Sequence, residues 1–148
     1  MTDDRHIAAR LAAKSDLMDI RMVKSSFEHK GFPENGSPIS YGLHINPEAT
    51  MADASDKFVM SAEFTIEISQ DIEGETKDIA HIEFILVGMY NIEEELEFTR
   101  AEVEAFSKST GIFALYPYAR EYVQSVTSRL GLPALTLGLH KVATDGKE

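Results

Sequence analysis

The chain contains no cysteine. Disulfides, zinc–thiolate sites and thiol nucleophiles are therefore excluded. Long apolar runs are missing too, and none approaches the ~20 residues that span a bilayer. The opening Met1-Thr2-Asp3-Asp4-Arg5 begins with acid and has no apolar stretch of the kind that makes a secretory signal. A cytoplasmic protein without membrane insertion is the expectation. Positive charge is scarce as well: 14 Lys and Arg stand against 25 Asp and Glu, a net charge of -11. A polyanion repels phosphate backbones and anionic headgroups, so nucleic acid is not an expected partner. The same charge keeps chains apart in solution and steers basic partners inward, including unfolded chains rich in Lys and Arg. What is present is enough for one folded domain: 148 residues, 43% of them hydrophobic.

The apolar pattern changes period along the chain. Asp4 to Lys14 is rich in Ala, Leu and Arg, with Ile7 and Leu11 at helical spacing, and predicts a short helix. From Leu17 the pattern alternates, first through Met18, Ile20 and Met22, then in the other phase through Val23, Ser25 and Phe27. A strand that changes phase needs a bulge. Turn formers from Gly31 to Pro38 end it. A second strand carries Ile39, Tyr41, Leu43 and Ile45 on one face, with Pro47 expected to close it and Glu48 to Asp56 expected to loop. Phe58, Met60, Ala62, Phe64, Ile66 and Ile68 then alternate with polar residues, marking a strand with one wet face. A turn at Asp71 to Glu75 leads to a fourth strand from about Ile79 to Ile92. Its middle, Phe84 to Tyr90, is apolar on both faces, so something must cover the second one.

The last third reads as helix. Thr99 with Glu102 forms a capping box ahead of Val103 and Phe106. Gly111 is expected to break that helix and Pro117 to sit in the first turn of the next. Ala119, Tyr122, Val123, Val126 and Leu130 repeat at three and four, Gly131 sits where a C-terminal cap belongs, and Pro133 prevents continuation. Leu135, Leu137 and Leu139 suggest an extended segment, and residues 141–148 a flexible polar tail. No internal repeat is visible.

Candidate chemistry is thin. His81 and Glu83 share a strand face and could cooperate in proton transfer, but ordinary surface residues read the same way. His6, His29, His44 and His140 show no ligand spacing. The run Glu93, Glu94, Glu95 with Glu97 has no regular ligand loop for a hard cation and reads as a solvated stretch before a helix. No glycine run makes a phosphate cradle. No cofactor, metal or catalytic group is expected, and the chain reads as no enzyme. What remains is surplus apolar surface: the two-faced fourth strand, the bulky run from Gly111 to Tyr118, and the Leu135–Leu137–Leu139 segment. A chain this short can hardly bury all three, and such a surplus points to an interface or a groove.

Three stretches resemble a known family. Phe113-Ala114-Leu115-Tyr116-Pro117-Tyr118-Ala119-Arg120-Glu121 resembles the aromatic-Pro-Tyr-Ala-Arg-Glu signature that opens the long helix of SecB chaperones. Leu132-Pro133-Ala134-Leu135-Thr136-Leu137 is similar to the apolar-Pro-x-Leu-x-Leu segment after that helix, and Gly88-Met89-Tyr90 to the end of the fourth strand. The resemblance runs from about Leu17 to Leu137. It implies an α+β fold: a four-stranded antiparallel sheet packed with a long C-terminal helix, and a single SecB-like domain with its core at about 16–139. It also implies a homo-tetramer built as a dimer of dimers, and a groove that holds unfolded or nascent chain without nucleotide. Two departures matter. Only about eleven residues follow Leu137, so the family's second long helix is missing or vestigial. The family binds the SecA translocation motor through acidic residues on the sheet; Glu28 falls on one such position, but its neighbours read Lys24 and Lys77. The N-terminal helix and the Ala-Leu-Tyr-Pro-Tyr wording look more like the SecB-like chaperones of toxin–antitoxin–chaperone modules, so the client is either a preprotein for export or an antitoxin.

The groove candidates are Tyr41, Leu43, Phe113, Leu115, Tyr116, Leu135 and Leu137, each competing with a core role. Tyr118, Tyr122 and Val126 are the candidates for a subunit interface, and Glu28 for partner docking. Two rival functions are an adaptor for one folded partner and a small curved-sheet enzyme using His81 and Glu83.

Overall fold

The computed structural model describes residues 4–51, 57–92 and 98–138. Helix α1 (Asp4–Lys14) leads into strands β1 (Ser15–His29), β2 (Ile39–Met51), β3 (Lys57–Ile72) and β4 (Glu75–Ile92), and then into helices α2 (Arg100–Lys108) and α3 (Thr110–Arg129). The strands form one antiparallel sheet in the order β1-β4-β3-β2. The sheet is thus a β2–β3–β4 meander with β1 laid on the far side of β4, and β1 and β2 are its edges.

The alternation of β3 is realised as read: Phe58, Met60, Ala62, Phe64, Ile66 and Ile68 are all buried on the inner face. Ile82, Phe84, Leu86 and Tyr90 continue that face on β4. The helices cover it with Val103 and Phe106 from α2 and Leu115, Ala119, Val123 and Val126 from α3. Each fully buried side chain of this size contributes about 1.5–3 kcal/mol. Aromatic rings tie strands to helix: Phe58 stacks on Tyr90 at 4.9 Å and meets Phe106 edge-on at 5.2 Å. The Tyr90 hydroxyl is buried and has no hydrogen-bond partner among the described residues, and burial pushes its pKa up to about 12.

The phase change in β1 is a bulge. Its register against β4 slips between Met22 and Lys24, with Val23 as the extra residue, and again between Leu17 and Asp19. Glu73 (φ 53°) and Gly74 (φ 82°) make the β3–β4 hairpin turn, both in the left-handed region that a two-residue primed turn requires. α1 sits on α2 through the buried Ala8 and Leu11 and through a two-pronged ion pair. There the Arg10 Nη2 and Nε donate to Glu102 at 2.6 and 2.9 Å. Glu102 also completes the capping box with Thr99, and with Arg10 beside it its carboxyl falls to about 2.

The connection from β1 to β2 crosses the end of the sheet. Gln70, only 1% exposed, clamps it: its side chain accepts from the Glu34 N–H and donates to the Glu34 and Ser37 carbonyls, each at 2.8 Å. Lys77 adds a bond to the Phe32 carbonyl at 2.6 Å.

Three sequence expectations are corrected. β2 does not close at Pro47 but continues to Met51. It is an edge strand, and a proline whose missing N–H points away from the sheet breaks no ladder bond. The break between the last helices falls at Ser109 (φ -127°, ψ -92°), not at Gly111. Gly111 is inside the first turn of α3, where a Cβ would stand 2.8 Å from Met60 Cε and 3.2 Å from the Phe106 carbonyl, so the glycine serves close packing. Pro117 consequently lies in the interior of α3, where it cannot donate to the turn before it. The buried residues on both sides of it, Leu115 and Ala119, hold the helix together across that defect.

Candidate polypeptide-binding groove

The site starts from how α3 ends. Gly131 (φ 80°) donates to the Ser128 carbonyl and Leu132 to the Thr127 carbonyl, the paired bonds of a glycine-capped helix end. The cap turns the chain back toward β2. Thr127, fully buried, then fixes the returning segment: its hydroxyl donates to the Val123 carbonyl at 2.8 Å and accepts from the Leu135 N–H at 2.9 Å. Two tyrosines pin the far end. The Tyr116 hydroxyl donates to the Gly138 carbonyl at 2.7 Å, and the Gly138 N–H donates to the Tyr41 hydroxyl at 3.4 Å. Burial raises the pKa of Tyr116, so it keeps its proton and remains a donor.

Between this segment and the first residues of β2 lies an apolar cavity of about 170 Å³. Ile39, Tyr41 and Ile68 line it from the sheet, and Leu132, Pro133, Ala134 and Leu135 from the segment. It opens at the edge of the sheet, where Ile39 and Tyr41 remain 38% and 40% exposed. An apolar cavity of about 150 Å³ admits a benzene ring, so this one takes a single leucine- or phenylalanine-sized side chain.

The structure sorts the sequence candidates. Tyr41 and Leu135 line the cavity, and Leu43 follows on the same face of β2, half-buried. Leu115 and Leu137 are fully buried and Tyr116 nearly so, and none of the three lines the cavity. Phe113 is exposed on α3, outside the cavity lining. Ile39, Leu132 and Pro133, outside the sequence candidates, also line the cavity. The apolar-Pro-x-Leu-x-Leu segment was the signal for the last two.

Of the interface candidates, Tyr118 is exposed, Tyr122 is half-buried with its ring edge-on to Phe84 at 4.8 Å, and Val126 is in the core. The outer face of the sheet has no helix of this chain over it among the described residues, and Ile85, Val87 and Met89 on β4 remain partly exposed there. Glu28 is on the same outer face, in register with His81. His81 Nδ1 meets Glu67 at 2.7 Å and Nε2 meets Glu83 at 2.6 Å. The bonds to Glu67 and Glu83 raise the His81 pKa, and they engage both ring nitrogens. A histidine held this way bridges β3 and β4. No group of metal-ligating side chains occurs among the described residues. The run Glu93 to Glu97 lies outside them. No helix among the described residues is long and apolar enough to cross a membrane.

No family model matches the chain. It is 34% identical over 149 residues to the SecB-like chaperone Rv1957 of Mycobacterium tuberculosis strain H37Rv, covering 91% of this chain and 82% of the relative. The SecB-like chaperone MT2006 of strain CDC 1551 matches with the same figures. Among solved structures, Rv1957 in complex with a ChAD peptide from the Rv1956 HigA1 antitoxin superposes with a TM-score of 0.84 at 32% identity. That match covers 93% of this chain and 99% of the other.

Proposed function

We propose that this chain, which belongs to the SecB-like chaperone family, holds unfolded polypeptide without ATP and has an antitoxin segment as its client. The observation that carries this is the apolar cavity of about 170 Å³ opening at the β2 edge of the sheet, which pairs with no further strand among the described residues. Unfolded chain exposes apolar side chains, and burying them gains about 25 cal/mol per Å². A preformed pocket binds them without ordering the chaperone first. The relative Rv1957 is seen with an antitoxin peptide, which favours an antitoxin over a preprotein. On the outer face Glu28 shares β1 with Lys24, so the acidic surface that SecA docking requires is interrupted.

The remaining features fit the same reading. The holding step needs no cofactor and no catalysis, and a His81 locked between two glutamates is a strand bridge. The partly exposed Ile85, Val87 and Met89, together with exposed Tyr118, are the surfaces of a cytoplasmic homo-tetramer, a dimer of dimers. Native mass spectrometry together with titration of the HigA1 ChAD peptide and of a permanently unfolded protein tests the proposal. A species four times the 16.5 kDa chain that binds these probes is expected. A monomer that binds neither overturns it.

A further inference from the structure

We infer that the client enters as a fifth strand, pairing its backbone with β2 along residues 39–45 and stopping at Pro47, and this rests on the holding function proposed above. β2 is an edge strand whose thirteen pairs with β3 run without a register shift. No backbone hydrogen bond joins β2 to anything but β3 among the described residues. The other edge, β1, is broken by two register slips, which twist an edge away from pairing. β2 is therefore the flat edge.

Pro47 gives the direction of the free groups. Its missing N–H falls on the open side of an uninterrupted edge strand. Backbone direction alternates along a strand with the side chains, so Ile39, Tyr41, Leu43 and Ile45 also turn their N–H and C=O groups outward. These four residues have their side chains on the inner face, since they are in register with Gln70, Ile68, Ile66 and Phe64. The free backbone and the cavity thus lie along the same residues. Pro47 lacks the next donor and ends the template. The paired stretch from 39 to 45 spans about 20 Å at about 3.3 Å per residue. An added strand directs every second side chain to the inner face, where the one opposite Ile39 and Tyr41 enters the cavity. The client class is an extended segment of about seven residues with apolar residues at alternate positions and one of them an anchor.

The test uses the full-length protein and the dye-labelled nonapeptide Ser-Val-Lys-Leu-Ser-Phe-Lys-Val-Ser, with single backbone N-methylations walked along it. Methylation removes one donor and leaves the side chains in place. Anisotropy titration is expected to show losses of about tenfold at every second peptide residue and little change between them. The variant Leu43→Pro is expected to weaken binding about tenfold beyond Leu43→Ala, because both lose the side chain but only proline loses the outward N–H. Circular dichroism checks that both variants are folded. N-methyl losses without a period of two overturn the added strand, as does equal binding of folded Leu43→Pro and Leu43→Ala. Failure of the wild-type protein to bind both this peptide and a permanently unfolded protein would instead overturn the holding function.

Discussion

Filling the cavity should abolish anchoring while leaving the fold intact. Ala134 lines the cavity and its side chain is exposed, so Ala134→Phe places a ring into the space without displacing any core residue. Substitutions at exposed sites of this kind change stability by about 0.5 kcal/mol or less. A client anchor of leucine or phenylalanine size loses its burial, about 1.5–3 kcal/mol. At 1.4 kcal/mol per decade, binding weakens about 10- to 100-fold. Anisotropy titration with the labelled nonapeptide measures this, and thermal denaturation confirms an unchanged midpoint. Ala134→Ser, which adds almost no volume, should bind as the wild type does. A folded Ala134→Phe protein with wild-type affinity would show that no client side chain enters this cavity.

Other perturbations separate the scaffold from the site. Phe58→Ala removes the ring that joins Tyr90, Phe98 and Phe106, and should cost about 3–5 kcal/mol in urea denaturation. Tyr90→Phe should raise stability by about 1 kcal/mol in the same assay, since it deletes a buried hydroxyl that has no partner among the described residues. Glu102 titrates at about 2 in the folded chain against an ordinary 4.5. Its contribution is complete above pH 4.5 and is lost as the pH falls toward 2; Glu102→Gln should remove that part of the acid transition. His81 has the opposite sign, because its pKa is raised above 6.5. Its contribution is complete below pH 6.5 and disappears as the pH rises through the folded value, so His81→Gln should flatten the stability profile there.

Local rules were legible wherever one neighbour decides the outcome. The alternation from Phe58 to Ile68 needed only a sheet with one covered face, and the phase change after Met22 needed only the fixed period of a strand. Both prolines misled because their tolerance depends on context that a linear pattern does not contain. Pro47 breaks nothing on an edge, and which strand is the edge is a matter of topology. Pro117 survives inside α3 because the sheet buries the helix around it. The groove was half legible. The bulky run after Gly111 and the Leu-Pro-x-Leu segment announced surplus apolar surface. Which residues remained open depended on packing: Leu115 and Leu137 went fully inside, while Ile39 and Tyr41 were left at the rim. Gln70 gave no signal at all, since a buried glutamine is recognised only when the loop it clamps is in place.

The measurement closest to the central claim is light scattering during dilution of a chemically denatured protein into buffer that contains this chain and no nucleotide. Holding at the β2 edge predicts that scattering is suppressed at near-stoichiometric ratios and returns with Ala134→Phe. Scattering that rises as fast with the wild-type chain as without it would contradict the account.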